Sequence, residues 1–190
     1  MAAANWFRYA KLAYFSRPKG NRELYRLVKR SGLCRIVEIG MSDLSRTVGL
    51  IEVAQRFASD NKVWYTGFDW FEARQPGSPR LLLKETYRLL RATGAIVRLV
   101  PGAPAPSLAA AANAHQNTDL ILLGPDVGEE DIQNAWFYVP RMLNDNSVVL
   151  NEQRMSDGQP IFTAITRSQI AEWAAQKSTS TRRGVSSQAA

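Results

Sequence analysis

Cysteine and histidine are almost absent from this chain: Cys34 and His115 are the single representatives among 190 residues. One cysteine excludes an intrachain disulfide framework, and one histidine beside one thiol leaves no ligand cluster for zinc, so no metal site is expected. A reducing, cytoplasmic setting fits that economy. Long apolar runs are missing too. The first fifteen residues are rich in aromatics but carry Arg8 and Lys11 inside the run, which excludes both a signal-peptide core and a membrane span. Acidic residues are scarce at the start: residues 1–35 hold nine basic side chains against Glu23 alone. Lys177, Arg182 and Arg183 add three more near the end, which leaves residues 36–176 at −4 within a net charge of +7. The high pI therefore belongs to the two ends, and the middle is mildly acidic.

What is present suits one globular domain, with 45% hydrophobic and 22% charged residues. Strand-like and helix-like segments alternate at the spacing of a parallel sheet. Strands are expected at residues 35–39, 63–68, 95–100, 120–123 and 147–151, with a further one at 161–165. Between them, Val48, Ile51, Val53, Ala54, Phe57 and Ala58 recur at helical spacing, as do Leu82, Leu83, Tyr87, Leu89 and Leu90. Shorter crossovers are expected at residues 106–113 and 129–140, and a closing helix at 167–176. Two helices, at about residues 4–15 and 22–30, precede the sheet, split by Arg17-Pro18-Lys19-Gly20.

The expected fold class is thus α/β, a Rossmann-like, doubly wound and mostly parallel sheet of five to seven strands with helices on both faces. The expected organisation is a basic, aromatic helical extension over residues 1–31, an α/β domain over 32–176, and a disordered tail over 177–190 of serine, threonine, arginine and glycine. In the extension, Trp6, Phe7, Tyr9, Tyr14 and Phe15 interleave with Arg8, Lys11, Arg17 and Lys19. Interfacial helices and nucleic-acid surfaces use that composition. A short helix that packs its aromatics on the domain and turns its cations to water accounts for it better, because the domain itself is not basic, and the same helix offers a surface for a homodimer.

The carboxyl ends of the expected strands form a set: Val37-Glu38-Ile39-Gly40, Thr66-Gly67-Phe68-Asp69, Val100-Pro101-Gly102-Ala103 and Leu122-Leu123-Gly124-Pro125-Asp126. A glycine at such an exit lets the main chain turn and lie against a nucleotide-sized ligand, while the next helix offers unpaired N–H groups. In this order the motifs, over about residues 32–152, resemble the class I S-adenosylmethionine-dependent methyltransferases. The resemblance implies S-adenosylmethionine as cofactor and a small molecule as methyl acceptor. It places Glu38, Gly40, Met41 and Ser42 in the loop under the methionine part, Asp69 on the ribose hydroxyls, Phe68 and Trp70 beside the adenine, Gly102 at the third exit, and Asp126 facing the methyl group as the catalytic candidate. With Glu129, Glu130 and Asp131, Asp126 forms a set of four carboxylates after the fourth strand that could include a base, two of the four being read as helix N-terminal charges.

The chain departs from the family where Ser42 and Leu44 stand at two usual glycine positions, where Ala103 replaces an adenine-reading polar residue, and where Val127 follows Asp126 in place of histidine. Those departures keep open a methyltransferase-like module that binds or scaffolds without catalysis. A nicotinamide-dependent enzyme is the third reading, opposed by the absence of G-x-G-x-x-G after the first strand. His115 reads as a water-exposed helix end, and Cys34 as core.

Overall fold

The computed structural model describes residues 7–58, 62–128, 132–133 and 135–175. Its sheet has the order β3-β2-β1-β4-β5-β6, built from β1 (Arg35–Ile39), β2 (Trp64–Asp69), β3 (Ile96–Pro101), β4 (Thr118–Leu123), β5 (Leu143–Arg154) and β6 (Pro160–Ala164). β1 lies at the centre, parallel to β2 and β4, with Val37 opposite both Thr66 and Ile121. Only β6 runs antiparallel, joined to β5 by a hairpin in which Arg154 faces Pro160. The chain leaves β1 toward β2 on one side and later returns to β4 on the other, and in doubly wound sheets this reversal places the ligand crevice at the strand carboxyl ends.

The central strands are covered on both faces, so alternate residues serve two cores. Ile36 and Tyr65 enter one core beneath α2 (Gly20–Ser31), α3 (Leu44–Phe57) and α4 (Leu83–Arg91). Val37, Ile39 and Phe68 enter the other, with Leu108 of α5 (Pro104–Ala111), Trp136, Val139 and Ile170 of α6 (residues 167–175). Helix boundaries follow local chemistry: α2 ends at Gly32 with φ of 58°, and Asp43 caps α3 by accepting from the Ser45 and Arg46 amides at 2.9 and 3.2 Å.

Most expected elements are found within two or three residues. β5 is the largest exception, twelve residues in place of the five expected, because its ends pair with Thr118 on one side and with the β6 hairpin on the other. Long-range pairing of polar residues such as Glu152 and Gln153 leaves no apolar trace in the sequence. In α4 the expected apolar face is displaced: Leu90 and Thr86 are buried while Tyr87 and Leu89 are exposed. The crossover at 129–140 contributes Trp136, Val139 and the 3-10 turn Val139–Arg141, while Glu129, Glu130 and Asp131 lie outside the described residues. The tail at 177–190 lies outside them as well.

From residue 7 a helix, α1, runs to residue 15 and is π-helical over Lys11–Phe15. Tyr9 and Ala13 are buried with Leu24, Tyr25 and Val28 of α2 in the same core as Ile36. Tyr9 meets Phe57 edge-on at 5.0 Å, and Arg8 pairs with Glu52 of α3 at 2.5 Å. Phe7, Tyr14 and Phe15 are exposed. Among the described residues no helix is long and apolar enough to cross a membrane.

Candidate functional site

The crevice is bounded by the exits of β1, β2, β3 and β4, and hydrogen bonds tie these exits together. The Gly40 amide donates to the Phe68 carbonyl at 2.8 Å, the Gly102 amide to the Asp69 carbonyl at 2.9 Å, and the Gly124 amide to the Ile39 carbonyl at 2.8 Å. Gly40 has φ of 74°, a conformation that disfavours any residue with a Cβ. Gly124 is needed for space: a Cβ there would fall 1.9 Å from the Gly40 carbonyl oxygen. A Cβ on Gly40 would fall 2.4 Å from Cγ2 of Val127, so the valine leans over the turn.

Glu38 does not face the crevice. It belongs to a buried ionic cluster with Arg46 and Glu152, and the side chains of Glu38 and Arg46 are both 0% exposed. Arg46 donates through one terminal nitrogen to Glu38 and through the other to Glu152. Thr47 Oγ1 and Tyr65 Oη donate to Glu38 Oε2 at 2.9 and 2.8 Å, and Ser42 Oγ to Glu152 Oε2 at 2.7 Å. Burial opposes the charge on Arg46, but the two carboxylates outweigh it and push the guanidinium further up. Burial, and then Glu38, raise the Tyr65 phenol well above its ordinary value, so it stays a donor. One cation between two carboxylates staples β1, α3 and β5 beneath the first loop. Ser42 is thereby turned inward, and Leu44 packs against the core, so neither of these replacements for glycine crowds the crevice.

Asp69 is buried at the end of β2, with its carboxylate committed within the chain. It accepts from the Met41 amide at 2.8 Å, the Phe71 amide at 2.8 Å, and Arg74 Nε and Nη2 at 2.7 and 2.6 Å. Arg74 also donates to the Met41 carbonyl and, at 3.1 Å, to that of Pro79. The hydrogen bonds to Asp69 raise its guanidinium above the ordinary arginine value despite partial burial. Trp70 is 42% exposed beside this pair, whereas Phe68, expected near the adenine with it, is fully buried in the core. Met41 is buried. Asp126 lies at the outer edge, its side chain 58% exposed and 3.7 Å from Arg154.

The crevice thus brings together Gly40, Met41, Asp69, Trp70 and Gly102. Glu38 and Ser42 are drawn underneath, and Asp126 is left at the rim. Arg46, Arg74 and Glu152 escaped sequence reasoning. Arg46 had a signal, since it lies four residues before Leu50 on the apolar stripe of α3, where a cation needs a buried partner. Arg74 sits in a loop without periodicity and had none.

His115 departs from expectation. It ends the 3-10 turn Ala112–His115, is half-buried with its Nε2 unpartnered, and meets Phe68 edge-on at 5.9 Å. Burial, helped by Arg98, lowers its pKa and keeps it neutral. Cys34 is also only half-buried, its Sγ 3.3 Å from Asp119 Oδ2. No group of histidine, cysteine and carboxylate side chains suited to a metal occurs among the described residues.

As a seat for S-adenosylmethionine the crevice fits in part. The positive φ at Gly40 and the close Gly40–Gly124 contact form a tight turn without side chains of its own, and Ser42 and Leu44 stay clear of it, but Val127 leans over it. The ribose acceptor expected at Asp69 is filled by Arg74.

No protein-family model matches the chain, and its sequence matches none of the curated proteins. Solved structures do match its fold. The O-methyltransferase TomG from Streptomyces achromogenes, involved in tomaymycin synthesis and crystallised with SAM, is 16% identical over 78% of this chain and 64% of its own, with a TM-score of 0.53. The O-methyltransferase from Bacillus cereus crystallised with SAH is 19% identical over 80% of this chain and 63% of its own, with a TM-score of 0.47. The fold is that of the class I S-adenosylmethionine-dependent methyltransferases, as the TomG likeness shows. The chain spans less than two thirds of the length of either protein.

Proposed function

We propose that this chain binds S-adenosylmethionine at the exits of β1, β2 and β3 and transfers its methyl group to a small molecule in the cytoplasm. The observation that carries this reading is the convergence of Gly40, Asp69 and Gly102 at the carboxyl ends of neighbouring strands, linked through Met41 N to Asp69 Oδ2 at 2.8 Å and Gly102 N to Asp69 O at 2.9 Å. TomG, with a similar fold, was crystallised with SAM. Methyl transfer from a sulfonium asks a protein mainly to align the acceptor with the methyl carbon and, where the acceptor is protonated, to supply a base. Asp126 at the rim is the candidate for that base.

Calorimetry with S-adenosylmethionine and S-adenosylhomocysteine tests the reading. Micromolar binding, weakened by about 1–3 kcal/mol in Asp69→Ala, is expected for a lost hydrogen-bonding partner. Failure of both compounds to bind at millimolar concentration, to the wild type and to Arg74→Ala alike, refutes it.

A second reading is a methyltransferase-like module that binds or scaffolds without catalysis. Arg74 on Asp69 and Val127 over Gly40 favour it, since both side chains take space that the cofactor needs. Binding without any transfer across a broad panel of hydroxyl, amine and thiol acceptors would support this second reading.

A further inference from the structure

A carboxylate offers about four acceptor positions, and those of Asp69 are taken by two main-chain amides and two nitrogens of Arg74. A ribose diol that is to bond this carboxylate must displace some of them. The Met41 and Phe71 amides belong to the exits of β1 and β2, and Phe71 is buried in the core, so these donors stay. Arg74 is different. It is carried by residues 72–80, of which all others are exposed, and the loop returns to the core at Leu81 and to α4 where Glu72 accepts from the Leu83 amide at 2.8 Å. Apart from the Ala73, Arg74 and Ser78 turn amides and the bond of Glu72 to Leu83, Arg74 itself supplies the hydrogen bonds that hold the stretch inward. Phe71, at the base of the loop, has φ of 50°, a left-handed conformation that strains a bulky residue and is sustained only while its surroundings hold it.

We infer that Arg74 is an internal competitor for the cofactor's ribose, so that residues 73–80 must swing outward before an S-adenosyl compound can bond Asp69. The inference rests on the proposed cofactor site and adds what sets its affinity. The apparent dissociation constant is the intrinsic one divided by the fraction of molecules with Arg74 released. Ligands without a vicinal diol gain nothing from that release, which makes Arg74 a selector for nucleosides that compensate the broken fork with two hydrogen bonds of their own.

The test compares S-adenosylmethionine binding to the wild type, Arg74→Ala and Arg74→Lys by calorimetry, with amide hydrogen exchange over residues 73–80 in the presence and absence of ligand. Arg74→Ala is expected to bind at least tenfold more tightly. Arg74→Lys, which keeps the charge but cannot form the fork and preserves the fold if alanine does not, should fall between. In the wild type, ligand should speed exchange over residues 73–80. Binding to Arg74→Ala while the wild type fails to bind supports the inference in its strongest form. Equal or weaker binding to both variants than to a binding wild type, or ligand-induced protection of residues 73–80, overturns the inference and leaves the cofactor reading standing. Failure of all three proteins to bind overturns both.

Discussion

Two arginine–carboxylate clusters lie toward the carboxyl ends of the strands, and they differ in what carries the cation. Arg46 projects from α3 into a site where it and Glu38 are wholly excluded from water, between strands β1 and β5. Arg74 projects from an exposed loop onto Asp69 and retains 13% exposure. The first cluster has rigid elements on every side, so its charges can leave only if the domain opens. The second has a rigid carboxylate and a loop-borne guanidinium, so it can exchange one partner for another. Burial depth alone does not separate foundation from clamp; the stiffness of the element bearing each charge does.

The comparison is broken most severely at Arg46. Arg46→Met strands Glu38 and Glu152 as uncompensated buried carboxylates and is expected to cost about 3–5 kcal/mol in urea unfolding at pH 7. A loss below about 1 kcal/mol would mean that the cluster is not the foundation argued here. At the opposite end of the strands, Asp119 accepts from the Cys34 and Arg35 amides at 3.0 and 2.8 Å and from Asn144 at 3.1 Å, pinning the start of β1. Burial alone would raise its pKa, but these bonds hold it below the ordinary 3.8. Asp119→Ala should therefore cost about 2 kcal/mol at neutral pH. Because the folded-state value is depressed, that stabilisation is present above the unfolded-state pKa and disappears as pH falls through the folded one. Unfolding curves of wild type and variant should accordingly converge below pH 4, and a gap that persists to pH 2 would exclude the carboxylate as its source.

Arg74→Ala sharpens the contrast from the other side. Asp69 keeps its two main-chain donors and the loop keeps Phe71, so a loss of only about 1 kcal/mol is expected by thermal melting. A penalty as large as that of Arg46→Met would show that Arg74 is part of the foundation too. The smallest effect belongs to the exposed Arg8–Glu52 pair, where Arg8→Ala should change stability by less than about 0.5 kcal/mol and less still in 0.5 M salt.

The fold was legible because its signals are local. Val37, Ile39, Ile121 and Leu123 form short apolar runs, and glycines close the strands at Gly40, Gly102 and Gly124. These features declare strand, turn and helix within a few residues, and their alternation restricts the topology to a parallel, doubly wound sheet. β5 was read short because its outer residues are polar and gain their strand conformation from Thr118 and β6.

The site was legible in position but not in pairing. Sequence order suffices to bring Gly40, Asp69 and Gly102 to one end of the sheet's strands, since parallel strands joined by right-handed crossovers must end on the same side. It does not say which way a carboxylate turns. Glu38 and Asp69 looked alike as acidic residues at strand ends, yet register places Glu38 on the α3 face against Arg46, with Glu152 arriving from 106 residues beyond that arginine. Asp69 finds its cation within its own loop, five residues on. Hydrophobic periodicity is written in the chain because burial acts on each residue separately. An ion pair depends on two side chains and the geometry between them, and only the folded sheet supplies that.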